Sequence, residues 1–549
     1  MQDTKNRINV NVFWQAVKKA TVMTAFMMVI GLAYAQSQPI LINQPTTAPA
    51  VTPIPAVSAP IGGGLPSEVQ TALMAAGLSP NELSMMVTPL NKGTKPATPI
   101  LSHLPNTPRI PASTQKLITT AVALDRLGAD FVWHNGIYYR GVLANRTLYG
   151  DAVLVGSGDP SLDHQRLSGL LSLLAKKVRH ITGDIYIDNS RFVNVGYDPN
   201  AFDGQGGRSY NAEPSAFLVN FGTVELKMTV SGWYSLKETG DEPVIFYPNR
   251  NDGNASVSLL PELSGVDFPK TVAVNHGRCS LPNMSVQGRT IRLNGVMGAG
   301  CGTQSLWRNF QDNDALAQLS VASLWKRFDP AFKGAVKIGQ RSHFSVPLVV
   351  QASKPVSHQI WQINQWSNNV MTEQLALSLP LYALSAPAMP RTEKVASVPF
   401  IPSQTAWSNY PKAFSYINHW WQGLGVPAPV MTRASGLCTD CTITATAMTG
   451  LLDFMYQHPD FGVYQASLPV VGESGTMKLL ARRNPNNPAI GRAWIKTGTL
   501  NDTTAMAGYV QAQSGQWYAV VGMINAKGVG FKRQSVAVLD EMLAWTAVR

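Results

Sequence analysis

The sequence predicts a mixed α/β protein whose middle part is rich in short strands. Helical runs occur at residues 117–124 and 370–377, and strand-like runs occur at 504–511 and 517–524. After Asp130 the hydrophobic period changes toward short strands separated by turn residues. At 549 residues, with 45% hydrophobic and 14% charged residues, the chain is long enough to bury large cores in several domains.

The first 35 residues predict a secretory signal. Four basic residues accompany an apolar stretch at 20–32, and Ala33-Tyr34-Ala35 then matches a cleavage site. This apolar stretch is shorter than the roughly 20 residues that cross a bilayer, so the sequence favours a cleaved signal, and export to the periplasm, over an anchor. Residues 36–64, rich in proline, threonine and alanine, predict a linker.

The charge of the chain bears on its partners. The formal net charge is +12, and cleavage of the signal would lower it by three, to +9. A basic exported protein is expected to associate peripherally with anionic wall polymers or lipid head groups, although the charge would also serve solubility alone. Nucleic acid is not an expected partner, because the sequence has no aromatic–basic cluster and export argues against it.

Ser113 and Lys116 form a serine-x-x-lysine motif. Because they are three residues apart, their side chains share one face of a helix. A serine hydroxyl needs a base to become a nucleophile, and lysine is such a base once burial or a second cation lowers its pKa. The same spacing recurs at Ser323 and Lys326 in an amphipathic run, which we interpret as an ordinary helix with the lysine facing water.

Two further short motifs follow in the chain. Ser367 and Asn369 precede a helical run, where taken alone they would indicate a helix cap. Lys496-Thr497-Gly498 ends a strand-like run at 493–495, where taken alone it would indicate a strand leading into a turn. Each motif alone is weak evidence for an active site, whereas the three motifs in this order are strong evidence for one.

The three motifs together resemble the active-site triplet of penicillin-binding proteins and serine β-lactamases. Ser113 and Ser367 are 254 residues apart, and Ser367 and Lys496 are 129 apart. The long first interval resembles the low-molecular-mass class C penicillin-binding proteins, the D-alanyl-D-alanine carboxypeptidase/endopeptidase family. Further stretches that resemble this family are 156–162, 183–188, 434–437, 468–472 and 475–476.

The resemblance implies the transpeptidase fold of penicillin-binding proteins and serine β-lactamases. This α/β fold has an antiparallel sheet flanked by helices, with a cleft between the sheet edge and an all-helical half. The resemblance assigns residues 65–133 and 352–549 to the catalytic domain. It assigns 134–351 to a large β-rich insertion of two modules, the inner one at about 222–303.

The resemblance also implies a reaction. Its substrate would be the D-Ala-D-Ala end of peptidoglycan stem peptides, and the related cross-link, hydrolysed through an acyl-enzyme on Ser113. β-Lactam antibiotics would acylate the same hydroxyl, and the resulting adduct on Ser113 would be hydrolysed slowly. Lys116 would be the base, kept neutral with help from the charge on Lys496, and Ser367 would relay the proton to the leaving amine. The reaction requires no metal ion or other cofactor.

Substrate contacts are implied in the same way. Asn369 would hold the amide on the acyl side of the substrate. Lys496 and Thr497 would bind the terminal carboxylate, and the backbone N–H groups of Ser113 and Thr499 would form the oxyanion hole.

Two positions concern the space around the substrate. Gly498 would leave room along the strand edge, where any side chain would intrude. Family members commonly carry serine and arginine where this chain has Cys438 and Thr439, and that arginine could help to bind a side-chain carboxylate of the stem peptide. Asp203 is a candidate acidic partner for the amino group of the same stem-peptide side chain, but its alignment with the family is loose. The preference for one stem-peptide side chain over another therefore stays open.

Four cysteines, an even number in an exported chain, predict disulfides. Sequence proximity favours Cys279–Cys301 and Cys438–Cys441, one of three possible connectivities. Cys438 and Cys441 alternatively suit a zinc or redox site, but no second C-x-x-C and no paired histidines offer the remaining zinc ligands.

Two alternative functions stay open. A peptidoglycan-binding scaffold with a vestigial site would bind the wall through the insertion and the basic surface. A Ser/Lys β-lactamase-like esterase would turn over β-lactams, but Glu393, in a segment with no matching pattern, is the nearest candidate for a deacylating glutamate. Histidine-based hydrolysis has no supporting motif. The oligomeric state and protein partners do not follow from the sequence.

Overall fold

The computed structural model describes residues 64–93, 97–230, 237–238, 243–244, 253–275, 278–340, 342–344, 346–382, 402–403 and 405–549. The predicted signal, almost all of the predicted linker, and Glu393 lie outside these residues. No helix within these ranges has both the length and the apolar character needed to cross a bilayer.

The structure combines helices, short 3-10 turns and strands. The α-helices run over Ser67–Ala75, Lys116–Leu127, His164–Lys177, Asn313–Phe328, Val356–Trp366, Asn369–Tyr382, Tyr410–Gln422, Ala445–Gln457, Phe461–Ser467, Leu480–Arg483 and Arg533–Ala547. The 3-10 helices run over Pro80–Glu82, Ala112–Gln115, Ser209–Asn211, Asn220–Gly222, Ala299–Cys301 and Gly475–Met477. All four runs predicted above, at 117–124, 370–377, 504–511 and 517–524, have the expected structure.

A five-stranded antiparallel sheet, called here the main sheet, joins the two ends of the described chain. Its strands in spatial order are Ala493–Leu500, Thr503–Gln511, Trp517–Asn525, Leu83–Leu90 and Leu101–His103. Successive side chains of a strand point to opposite faces, and both faces are apolar. Val520 and Ile524 pack with the terminal helices, whereas Ala519 and Val521 pack with the helical half. The strand Ala493–Leu500 lies at an edge of this sheet.

The helical half surrounds the helix Lys116–Leu127. Every residue of this helix from Lys116 to Leu124 is buried, as expected for a helix that is enclosed on all sides. The helices Val356–Trp366 and Asn369–Tyr382 pack against it, with further helices around them. The first residue of this helix, Lys116, is therefore enclosed between the helical half and the main sheet.

The predicted insertion, residues 134–351, is called here the inserted region, and it begins and ends on neighbouring strands. His134–Ala144 pairs antiparallel with Val349–Ala352, so the chain leaves and re-enters the helical half side by side. These strands belong to a sheet on which the helices His164–Lys177 and Asn313–Phe328 pack. The other strands of this sheet are Thr147–Val155, His180–Ile181, Ile185–Asp188 and Val336–Ile338.

A second sheet, with its own apolar core, lies within the inserted region. Its strands in spatial order are Met297–Gly298, Thr271–Asn275, Asn254–Leu260, Thr223–Val230 and Thr303–Asn309. Two-stranded pairs are formed by Asn283–Gln287 with Thr290–Asn294, and by Lys237–Glu238 with Pro243–Val244. The strand Thr303–Asn309 extends past residue 303, at about which the inner module is predicted to end. The division of the inserted region into two modules stays a prediction.

Candidate active site

The turn that carries Ser113 is the 3-10 helix Ala112–Gln115, which leads directly into Lys116–Leu127. Side chains three residues apart on a 3-10 helix eclipse each other, and Lys116 Nζ lies 2.8 Å from Ser113 Oγ. Ala112 enters the turn with a φ of +47°. The contact expected between serine and lysine is thus present, on a 3-10 turn that opens the helix.

Lys116 Nζ has two further partners, both of which can only accept a hydrogen bond. They are the Oδ1 atom of Asn369 and the backbone carbonyl of Ser435, each at 2.7 Å. A neutral amine has two N–H donors and one lone pair. With both donors engaged by these oxygens, the lone pair is left to face the hydroxyl of Ser113. The arrangement therefore suits a neutral lysine that accepts the serine proton.

The electrostatic surroundings favour this neutral state. Lys116 is fully buried, and burial lowers its pKa well below the usual 10.5. The charge of Lys496 lowers the pKa further, whereas the carboxylate of Glu373 raises it. The sequence suggested the effect of Lys496, but burial, the larger cause, becomes visible only in the fold.

Ser367 and Lys496 form a second serine–lysine pair. Lys496 Nζ donates to Ser367 Oγ at 2.9 Å and to the carbonyl of Thr497 at 2.8 Å. Ser367 has a left-handed φ of +58° at the junction between Val356–Trp366 and Asn369–Tyr382. Burial lowers the pKa of Lys496 to about 7, so both charge states are accessible at neutral pH.

Gly498 brings the edge strand against the serine turn. A Cβ atom at this position would lie 2.5 Å from the carbonyl oxygen of Pro111 and 3.0 Å from the backbone nitrogen of Ser113. The sequence suggested that a side chain here would obstruct the substrate. In the structure a side chain would also displace the turn that presents Ser113.

The threonines on either side of Gly498 have different surroundings. Thr497 Oγ1 donates to Thr476 Oγ1 at 2.9 Å, so this hydroxyl is linked to the turn Gly475–Met477. Thr499 is exposed and pairs in register with Thr504. The carboxylate-binding role of Thr497, and the oxyanion hole formed by the N–H groups of Thr499 and Ser113, stay predictions.

The inserted region reaches the candidate site through Tyr210. The carbonyl of Tyr210 accepts from Asn369 Nδ2 at 3.0 Å, which leaves Asn369 Oδ1 to face Lys116. Asp203 accepts from the hydroxyl of Tyr210 at 2.6 Å and from Asn211 Nδ2 at 3.0 Å. Burial alone would raise the pKa of Asp203, but these hydrogen bonds outweigh it, and the net shift is downward. A direct contact between Asp203 and substrate stays a prediction.

The sequence alone did not assign a role to Glu373 or to the carbonyl of Ser435. The Glu373 carboxylate accepts the N–H groups of Ala434 at 3.0 Å and Ser435 at 2.9 Å. It therefore holds the segment whose carbonyl binds Lys116. A glutamate inside the apolar helical run at 370–377 was the available signal, since a buried acid requires partners.

The second serine-x-x-lysine pair is not part of this site. Ser323 is buried in the helix Asn313–Phe328, where its hydroxyl accepts from the N–H of Ser264 at 2.7 Å. Lys326 is exposed. The interpretation as an ordinary helix is confirmed.

Both favoured disulfides are present. Cys279 is bonded to Cys301, and Cys438 is bonded to Cys441. Cys438 and Cys441 cluster with Asp440 in a spacing that would suit a metal ion. Their sulfur atoms are bonded to each other, and so they are not free thiolate ligands.

The chain matches the D-Ala-D-Ala carboxypeptidase 3 (S13) family over residues 65–396 and 409–547. It is 25% identical over 436 residues to the D-alanyl-D-alanine carboxypeptidase of Actinomadura sp. (strain R39), covering 74% of this chain and 72% of the relative. It is 20% identical over 429 residues to the D-alanyl-D-alanine carboxypeptidase DacB of Haemophilus influenzae, covering 76% and 81%.

Solved structures show the same architecture. Penicillin binding protein 4 (dacB) from Haemophilus influenzae has a TM-score of 0.64 at 18% identity, covering 86% of this chain and 98% of the other. The same protein complexed with a novel β-lactam has a TM-score of 0.60 at 17% identity, covering 85% and 96%. The predicted penicillin-binding-protein fold is confirmed.

Proposed function

The chain belongs to the D-Ala-D-Ala carboxypeptidase 3 (S13) family and is a serine-type D-Ala-D-Ala carboxypeptidase, and we propose that Ser113 is its nucleophile. The observation that carries this proposal is the geometry of Lys116. Two oxygens that can only accept lie 2.7 Å from Lys116 Nζ, and the same nitrogen lies 2.8 Å from Ser113 Oγ. A neutral Lys116 that donates to both oxygens therefore has its lone pair left for the hydroxyl. A hydroxyl in this contact can lose its proton to the amine as it attacks a carbonyl.

The proposed substrate is the D-Ala-D-Ala end of a peptidoglycan stem peptide. Ser113 attacks the carbonyl of the penultimate D-alanine, and Lys116 takes its proton. The N–H groups of Ser113 and Thr499 bind the resulting oxyanion, an interaction worth roughly 3 kcal/mol per donor. Asn369, oriented by the carbonyl of Tyr210, also holds the acyl-side amide of the substrate.

Release of the terminal D-alanine requires a proton on its amine. Ser367 relays to this amine the proton that Lys116 took from Ser113, so that Lys116 is neutral again before hydrolysis, and Lys496 donates to Ser367 Oγ and keeps its own proton. The terminal carboxylate of the substrate binds to Lys496 and Thr497. A carboxylate beside Lys496 stabilises its charged form, so substrate binding raises the pKa of this lysine above its value of about 7 in the free enzyme.

Water then hydrolyses the acyl-enzyme and regenerates Ser113. The same cycle applies to the D-alanine cross-link between stem peptides, which gives the endopeptidase activity. A β-lactam acylates Ser113 in the same way, and its adduct hydrolyses slowly.

We further propose that the enzyme acts in the periplasm. The basic apolar leader with its Ala33-Tyr34-Ala35 site and the four cysteines support this proposal. The positive net charge supports peripheral association with the anionic wall or membrane surface. The two separate sheets within residues 134–351 support an insertion of two modules in the catalytic domain.

The test is covalent labelling with a fluorescent penicillin, together with release of D-alanine from a stem pentapeptide. The wild-type protein is expected to be labelled and to release D-alanine, and Ser113→Ala to do neither. Ser323→Ala is the matched control, because it alters the serine of the other serine-x-x-lysine pair. Labelling that survives Ser113→Ala would contradict the proposed nucleophile.

Mass spectrometry of digested cell wall measures the balance between carboxypeptidase and endopeptidase activity. Carboxypeptidase activity removes terminal alanines, and endopeptidase activity removes cross-links. Wall binding without D-alanine release would favour the scaffold with a vestigial site. Rapid nitrocefin turnover would favour the β-lactamase-like esterase.

A further inference from the structure

Both acceptors of Lys116 are connected to one segment of the inserted region. On one side, the carbonyl of Tyr210 holds the amide of Asn369, whose Oδ1 atom accepts from Lys116. On the other side, the carbonyl of Ser435 accepts from Lys116. Ser435 follows Arg433 by two residues, and Arg433 contacts the same part of the inserted region.

Arg433 lies between two tyrosine rings. Its Cζ atom is 3.8 Å from the ring centroid of Tyr197, in the inserted region, and 5.2 Å from that of Tyr410, in the helical half. A guanidinium over an aromatic face is attracted by the ring quadrupole, and the attraction grows when water is excluded. The Arg433 side chain therefore fastens the segment that carries the Ser435 carbonyl to the inserted region.

Tyr197 and Tyr210 belong to one internally bonded segment, residues 197–213, called here the positioning segment. The hydroxyl of Tyr197 donates to the carbonyl of Ala212 at 2.8 Å, and its N–H donates to Glu213 Oε1 at 2.6 Å. Asp203 accepts from the hydroxyl of Tyr210 and so closes the other end of the segment. Because these bonds link both tyrosines to one unit, a shift of the segment moves both supports together.

We propose that the positioning segment fixes both hydrogen-bond acceptors of Lys116, and that Arg433 is a positioning residue for the proton transfer from Ser113. Arg433 acts through the carbonyl of Ser435 and does not touch the reacting atoms. Without Arg433 the carbonyl of Ser435 keeps the support of Glu373 but loses its link to the inserted region, so the lone pair of Lys116 is held less firmly toward the hydroxyl. The proposal rests on the role of Lys116 as the base of the proposed function.

The experiment measures benzylpenicillin acylation of the full chain and separates the acylation rate constant from the dissociation constant of the non-covalent complex. Benzylpenicillin has no stem-peptide side chain, so a loss of contacts to that side chain cannot affect the result. We expect Arg433→Ala and Tyr197→Leu each to lower the acylation rate constant by about 10- to 100-fold, with the dissociation constant unchanged. The double variant should be no slower than the slower single variant, because both changes remove the same stack.

Three variants serve as controls. Arg433→Lys keeps a cation, and Tyr197→Phe keeps the ring and the N–H bond to Glu213 while losing the hydroxyl bond to Ala212, so both should acylate faster than Arg433→Ala and Tyr197→Leu. If Arg433→Ala or Tyr197→Leu fails to fold, the other one carries the test. Lys270→Ala removes another cation–π pair of the inserted region, in which Lys270 Nζ lies 3.1 Å from the ring centroid of Phe268. It should acylate at the wild-type rate.

Wild-type acylation rate constants in folded Arg433→Ala and Tyr197→Leu would overturn the inference. Additive losses in the double variant, or equal losses in the conservative variants, would overturn it as well. If Ser113→Ala abolishes labelling while Arg433→Ala acylates normally, the proposed function stands and only the positioning role fails. If the wild-type protein is not acylated at all, the proposed function itself fails.

Discussion

Asn369 Oδ1 lies 2.7 Å from Lys116 Nζ, and the Nδ2 atom of the same amide lies 3.0 Å from the carbonyl of Tyr210. Because a carbonyl can only accept, it sets which end of the amide faces the lysine. The orientation of Asn369 thus determines that Lys116 donates to it, and this donation leaves the lone pair for Ser113. In the proposed mechanism, a segment of the inserted region therefore helps to determine the direction of proton transfer.

The first prediction concerns the base. Lys116→Ala removes the proposed proton acceptor of Ser113 and is expected to slow acylation by a fluorescent penicillin by about 10²- to 10⁴-fold. The rate is followed as labelled protein against time. Lys326→Ala removes the exposed lysine of the other serine-x-x-lysine pair and should leave the rate unchanged. Wild-type labelling of Lys116→Ala would show that another group removes the proton.

The second prediction concerns Gly498. In Gly498→Ala the added methyl group would lie 2.5 Å from the Pro111 carbonyl, so the strand and the serine turn must separate. We expect a loss of about 1–3 kcal/mol in the free energy of unfolding, measured by urea denaturation, together with slower acylation. Gly462→Ala adds a methyl group with no atom within 4 Å, in the helix Phe461–Ser467, and should preserve acylation. Equal behaviour of the two variants would contradict the close approach.

The sequence predicted the parts of the site that depend on side-chain identity at short spacing. Ser113 and Lys116 were predicted because three residues of separation bring their side chains together on any tight helix. The Ser435 carbonyl was not, because every residue has a backbone carbonyl and this one is 319 residues from Lys116. The carbonyl of Tyr210, which orients Asn369, escapes prediction for the same reason. Glu373 left a sequence signal, as an acid within an apolar helix, but its backbone partners depend on the tertiary fold.

The third prediction concerns the pH dependence of carboxypeptidase activity. Lys496 should be charged to bind the substrate carboxylate, and its pKa in the free enzyme is about 7. As the pH rises through this value Lys496 loses its proton, so kcat/KM for a D-Ala-D-Ala peptide should fall on the alkaline side. Lys496→Arg keeps a charge throughout this range and should move the fall to higher pH, at a lower maximum. An unchanged alkaline limb in the variant would assign it to another group.

The fourth prediction concerns the cost of Lys496 to stability. Burial lowers its pKa to about 7 in the folded state, against about 10.4 in an unfolded chain. Between these two values the unfolded chain binds more protons than the folded chain, so the free energy of unfolding rises with pH. Lys496→Met removes this group and should be more stable than the wild type at neutral pH, by on the order of a few kcal/mol. The difference in stability should shrink as the pH approaches the pKa of the unfolded chain, because the lysine then becomes neutral in both states.

Urea denaturation at neutral and alkaline pH measures this difference, with the exposed Lys532→Met as the control. A stability gap that does not change with pH would show that folding does not lower the pKa of Lys496.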